Sequence, residues 1–117
     1  MPTNERDLAF FRQRMAEMYA GYARNVGKIA RFLPVGNFVA GRTSGGAMVV
    51  CTPLDHVLWT EPVARVVGAL GGRARELGLA QKHLWLTGTA SLLMREQLRQ
   101  QGWILHEQSE AQLWARR

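Results

Sequence analysis

Apolar residues in the first third of the chain recur every three or four positions: Leu8, Phe11, Met15, Met18, Tyr22, Val26, Ile29 and Leu33. Such a stripe marks an amphipathic helix and predicts one long helix over residues 5–33. Phe10, Tyr19 and Phe32 widen it. Thr3 or Asn4 suits the N-cap, Glu5 and Asp7 suit the positive N-terminal end, and Arg24, Lys28 and Arg31 suit the other end. Pro34 and Gly36 then stop the pattern. At 1.5 Å per residue the helix is about 40 Å long, more than a small sheet covers. Gly21 and Gly27 mark close packing or a break, because glycine costs about 1 kcal/mol relative to alanine in a helix interior.

The periodicity then changes. Phe38-Val39-Ala40 and Met48-Val49-Val50-Cys51 flank the turn cluster Arg42-Thr43-Ser44-Gly45-Gly46, so residues 37–51 read as a β-hairpin. His56 to Trp59 reads as a short strand or connector. Thr60-Glu61-Pro62 opens a helix over residues 60–78, with Val63, Val66, Val67 and Leu70 on one face. Gly71-Gly72 is an early stop for it and Gly78 a later one.

Residues 83–107 read as strand, helix, strand. Leu84-Trp85-Leu86 is a continuous apolar run, as in a strand buried on both faces. Ala90, Met94 and Leu98 give the helix a narrow apolar face, and Gly102 sits where a left-handed cap belongs. Trp103 to His106 is the second strand, parallel to the first. Ser109 to Trp114 adds a helical turn or two. The expected fold is α/β or α+β: a small mixed sheet of about four strands, built from the β-hairpin and a C-terminal βαβ unit, with a long N-terminal helix.

Composition narrows the class. A chain of 117 residues fits a single domain, 1–117, and 47% apolar content argues against global disorder. No apolar run approaches the roughly twenty residues that span a bilayer. The start of the chain lacks a signal-peptide layout, and the one cysteine, Cys51, has no partner for an internal disulfide; together these point to the cytoplasm. The net charge is +6, and thirteen of the fifteen basic residues are arginine. That favours an acidic partner such as nucleic acid, an anionic membrane surface or an acidic protein. Arg12, Arg14, Arg24, Lys28 and Arg31 are the candidate basic patch, although the cations are scattered in sequence.

Candidate chemistry is sparse. The loop Thr87-Gly88-Thr89-Ala90-Ser91 precedes a helix. Thr87, Gly88, Thr89 and Ser91 are therefore candidates to hold an anion at its N-terminus. Ordinary capping explains the same residues. The glycine- and arginine-containing hairpin turn invites a phosphate reading too, but hairpin loops use the same residues for geometry alone, which is the favoured explanation. The loop has neither GxxxxGK[ST] nor GxGxxG spacing. Leu86-Thr87-Gly88-Thr89, a helix carrying Arg95-Glu96-Gln97-Leu98, and a glycine before a strand together resemble the opening strand–helix–strand of BRCT-type domains. In that family the loop contacts phosphate on a partner. The resemblance covers a short part of the chain, which ends where such domains continue.

His56, His83 and His106 lack metal-site spacing, so no metal and no cofactor is expected. His83 and His106 lie at the ends of two adjacent strands and are expected to approach each other. Asp55-His56 near Cys51 is a weak thiol-and-base pattern, since Cys is commonly just buried. No pair of acids stands out for acid–base work. Trp114, beside the basic end formed by Arg116 and Arg117, is the tryptophan expected to meet a partner.

The leading expectation is a non-enzymatic interaction or assembly module that self-associates, or docks a protein partner, through Phe11, Met15, Met18, Tyr22 and Val26. The alternatives are a nucleic-acid-binding accessory protein and a phosphate- or nucleotide-binding domain using residues 87–91. A membrane-surface role is disfavoured by Glu5, Asp7 and Glu17 on the helix.

Overall fold

The computed structural model describes residues 5–36 and 38–114. The expected caps Thr3 and Asn4, the hairpin's Asn37 and the basic end at Arg116 and Arg117 lie outside them. In chain order the elements are α1 (Glu5–Asn25), β1 (Ile29–Val35), β2 (Phe38–Thr43), β3 (Ala47–Thr52), β4 (His56–Val57), α2 (Glu61–Glu76), β5 (Gln81–Leu86), β6 (Thr89–Ala90), α3 (Leu92–Gln100), β7 (Trp103–His106) and α4 (Glu110–Leu113). The fold is α+β.

The first helix is shorter than its stripe predicts. It ends at Asn25, where the N–H groups of Val26 and Gly27 both turn back to the Tyr22 carbonyl. Ile29–Val35 is a strand instead. The four-residue step from Ile29 to Leu33 misleads because it suits alternate positions of a strand as well as one helix face. Gly27 supplies the break. Gly21 supplies close packing: a Cβ there would sit 2.3 Å from the Leu113 carbonyl oxygen of α4.

This extra strand raises the sheet from about four strands to five, in the order β1-β2-β3-β5-β7. β1, β2 and β3 form an antiparallel meander; β3, β5 and β7 are parallel. A separate two-residue ladder joins β4 and β6. The meander contains an opening. Regular β2–β3 pairing covers Gly41↔Val49 and Arg42↔Met48. Beyond it the Tyr19 hydroxyl, from α1, donates to the Val39 carbonyl and accepts the Cys51 N–H at 3.1 Å. Burial, with Cys51 alongside, raises the Tyr19 pKa, so the phenol stays neutral and bridges both strands.

Helices cover both faces of the sheet. α2 and α3 pack on one, closing a core around Met48, Val50, Leu84, Leu86, Met94 and Leu98. α1 and α4 pack on the other, over Val49, Cys51 and Trp85. Alternation along β3 divides its side chains between the two cores. α2 starts where Thr60 caps the Val63 N–H, and Gly78 at φ +65° follows its end. The Gly71-Gly72 pair does not stop it; the helix runs through to Glu76. α3 is capped by Ser91, and Gly102 at φ +81° turns the chain into β7 as its position predicts.

Candidate functional site

The loop after β5 is held by the protein itself. The segment after β3 lies against it. Gly88 and Thr89 donate backbone N–H bonds to the Leu54 and Asp55 carbonyls, both at 2.9 Å. Gly88 is needed for this contact, because a Cβ would sit 1.8 Å from the Asp55 carbonyl oxygen. The Thr87 hydroxyl donates to the Leu54 carbonyl at 3.3 Å, and the Thr89 hydroxyl meets His56 Nδ1 at 2.9 Å. Ser91 caps α3 through the Met94 N–H at 3.1 Å.

Glu107, just past β7, reaches the same place. Its carboxylate accepts the Ala90 N–H at 2.8 Å and the Arg95 guanidinium at 2.9–3.2 Å. Burial works against its ionisation. The Arg95 and Ala90 hydrogen bonds and the nearby His56 outweigh that and hold its pKa below the usual value. The Glu107 carboxylate therefore lies beside the 87–91 loop, bonded to its Ala90 N–H. Nothing in the sequence pattern links Glu107 to this loop; the register of β5 and β7 brings it there. Thr89 and His56 form a hydroxyl–imidazole contact, but Glu107 bonds Arg95 and Ala90 rather than extending that contact into a relay.

His83 and His106 do come together, on the α1 side of the sheet. His83 Nδ1 and His106 Nε2 are 2.9 Å apart, and His83 Nε2 lies 3.1 Å from Gln81 Oε1. His106 stacks on Trp85 with ring centroids 3.9 Å apart. Burial lowers the pKa of both histidines, and for His106 the neighbouring His83 adds to it. Two nitrogens facing each other in a hydrogen bond hold one proton between them and leave no shared lone pair for a metal. Among the described residues no group of three or more His, Cys, Asp or Glu could hold a metal ion. Cys51 is buried, and burial pushes its thiol up to about 12, which keeps it protonated and unreactive.

The helical stripe faces inward. Met15, Met18 and Tyr22 are buried against the sheet and α4, and Phe11 is half-buried beside them. Of the five expected interaction residues only Val26, just past the helix end, is exposed. The stripe is broad because α1 packs on both a sheet and a second helix.

The surface that remains uncovered lies alongside. Ala16, Ala20 and Ala23 form the next face of α1, and the β1–β2 ribbon beside them presents Ile29, Phe32 and Val39. Between helix and ribbon runs a groove of about 630 Å³, with Tyr19 and Met15 at its base and Arg12 in its wall. Phe32 is 53% exposed and Val39 38%, high values for large apolar side chains. Leu92 and Leu93 are also exposed, but on the first turn of α3, across the sheet.

The expected basic patch is divided. Arg14 pairs with Glu17 at 3.0 Å and lies over the Trp114 ring, 4.9 Å from its centroid. Trp114 is thus engaged with α1. Arg31 pairs in register with Arg42, itself opposite Met48, which places both on the α2 side of the sheet. Arg12, Arg24 and Lys28 remain on or next to α1, and none of the three forms a salt bridge among the described residues. Also among the described residues, no helix is long and apolar enough to cross a membrane. Comparison with protein-family models, curated proteins and solved structures finds no match for this chain.

Proposed function

We propose that this is a non-enzymatic interaction module that docks an amphipathic, acidic-flanked helix of a partner protein in the groove between α1 and the β1–β2 ribbon. The observation that carries the reading is the groove itself: an apolar trough with a three-alanine seam on one side and an exposed Phe32 ridge on the other. Alanines at steps of four and three let a second helix approach closely, and the volume is within the range of ligand and peptide clefts.

Charge selects the occupant. Arg12 lines the groove, and Arg24 and Lys28 follow on the last turn of α1 and just beyond it. Carboxylates on the flanks of an incoming helix would answer these cations. A second copy would bring the same cations against each other, which argues against self-association through this face. Strand addition is also disfavoured. The free edge of β1 carries Pro34, which has no N–H to donate, and an irregularity between Ile29 and Arg31.

Two synthetic helical peptides with one leucine face, flanked by glutamate in the first and by lysine in the second, test this. The glutamate peptide is expected to bind in the micromolar range, as a small interface does, and the lysine peptide at least about tenfold more weakly at low salt. Ala20→Glu should weaken the glutamate peptide by about tenfold or more while leaving the thermal midpoint in place. Equal binding of both peptides, or of neither, refutes the reading. A dimer mass in light scattering of the protein alone would assign the groove to a second copy instead.

A further inference from the structure

The core beneath α2 contains a cavity of about 90 Å³ that the docking groove does not involve. Val50 and Leu84 form its floor, Val63 and Val67 its roof, and Met94 closes one end. Pro62, exposed at the start of α2, marks its mouth. The pocket is open to the surface on one side, and its space is well above that of one water molecule, more than native packing usually leaves between a helix and its sheet.

Thr52 supplies a second observation. It is the one lining residue with a polar side chain; it is 4% exposed, and its hydroxyl is buried without a hydrogen-bond partner. The wall it turns to the cavity is its methyl group. One staggered step about χ1 brings the hydroxyl to the place the methyl holds, with the methyl moving to the hydrogen's, and no hydrogen bond holds the hydroxyl where it is. Valine would fill the same shape without a buried polar atom. Water is a poor occupant, because it needs two or more polar partners and the lining is apolar, with the Thr52 hydroxyl, once rotated, the one polar group within it.

We infer that the cavity under α2 is a binding site for a compact, mostly apolar molecule carrying one hydrogen-bonding group, which Thr52 meets. Size follows from comparison with engineered cavities: about 150 Å³ lined by aliphatic side chains takes the six carbons of benzene, so this site takes about four carbons. Short branched alcohols and ketones have that size and that single polar group. The class excludes charged ligands, for which the site has no partner.

The test uses isobutanol and xenon as probes, with the full chain labelled at its methionine methyl groups. Isobutanol should shift the Met94 methyl resonance and saturate in the millimolar range, as a ligand of so few atoms does. Thr52→Val should weaken isobutanol by about fivefold, the worth of one hydrogen bond, and leave the xenon-induced shift unchanged. Val67→Leu, which fills the cavity, should abolish both responses. A Met94 resonance that neither probe moves overturns the site. Isobutanol binding that Thr52→Val leaves untouched overturns the role of the hydroxyl. A response that survives Val67→Leu places the probes elsewhere and overturns the assignment as well.

Discussion

Single residues do two kinds of task here. Some were legible in the chain: Gly102 turns a helix into a strand, Thr60 and Ser91 cap helices, and Gly21 permits a close approach. Each follows from a local rule about capping or backbone freedom. Others act only through the fold. Tyr19 reads as one more apolar residue of a helix, yet its hydroxyl splices an opening between β2 and β3. Glu107 reads as a surface acid, yet it ties the loop before α3 to Arg95. Tyr19→Phe keeps the ring and removes the bridge, leaving the Cys51 N–H and the Val39 carbonyl unmet inside the molecule. It is expected to lower stability by about 1–3 kcal/mol, read as a drop in the urea midpoint without a change in slope. An unchanged midpoint would mean that the two strands close the gap themselves.

At the scale of elements, the hairpin, the second helix and the strand–helix–strand unit were visible because each has its own period and punctuation. The first strand was not. Val26, Ile29 and Leu33 continue the step of the helix, and only Gly27 betrays the change. The approach of His83 and His106 did follow from parallel neighbouring strands, and it makes the β5–β7 pair sensitive to acid. Both histidines have pKa values below the ordinary 6.5 in the folded state, so the unfolded chain binds more protons as pH falls. Their contribution to stability is therefore complete above pH 6.5 and is lost below it. Glu107, also lowered, adds a second loss at more acidic pH, below the ordinary carboxyl value of 4.5. The thermal midpoint should be level above about pH 7.5 and decline from pH 6.5 downwards. His83→Gln with His106→Gln should flatten the upper part of that decline and leave the lower part, as differential scanning calorimetry across pH would record.

At the scale of the molecule, the layering explains why the expected interaction stripe turned inward. A sheet of five strands with helices on both faces needs Met15, Met18 and Tyr22 to close its second core. The amphipathic pattern therefore reported folding, and no count of apolar positions separates that from a partner interface. What the sequence did not reveal is the uncovered strip between α1 and β1–β2, because Ala16, Ala20 and Ala23 carry no apolar signal of their own and Phe32 was assigned to the wrong element. The net charge of +6 was legible, but its division between two faces was not. The measurement that bears most directly on the docking role is an amide and methyl chemical-shift map of the protein titrated with the glutamate-flanked peptide. Docking in the groove requires saturating shifts centred on Ala16, Ala20, Ala23, Phe32 and Val39. Shifts centred instead on residues 87–91 or on His83 and His106, with the groove silent, would contradict it.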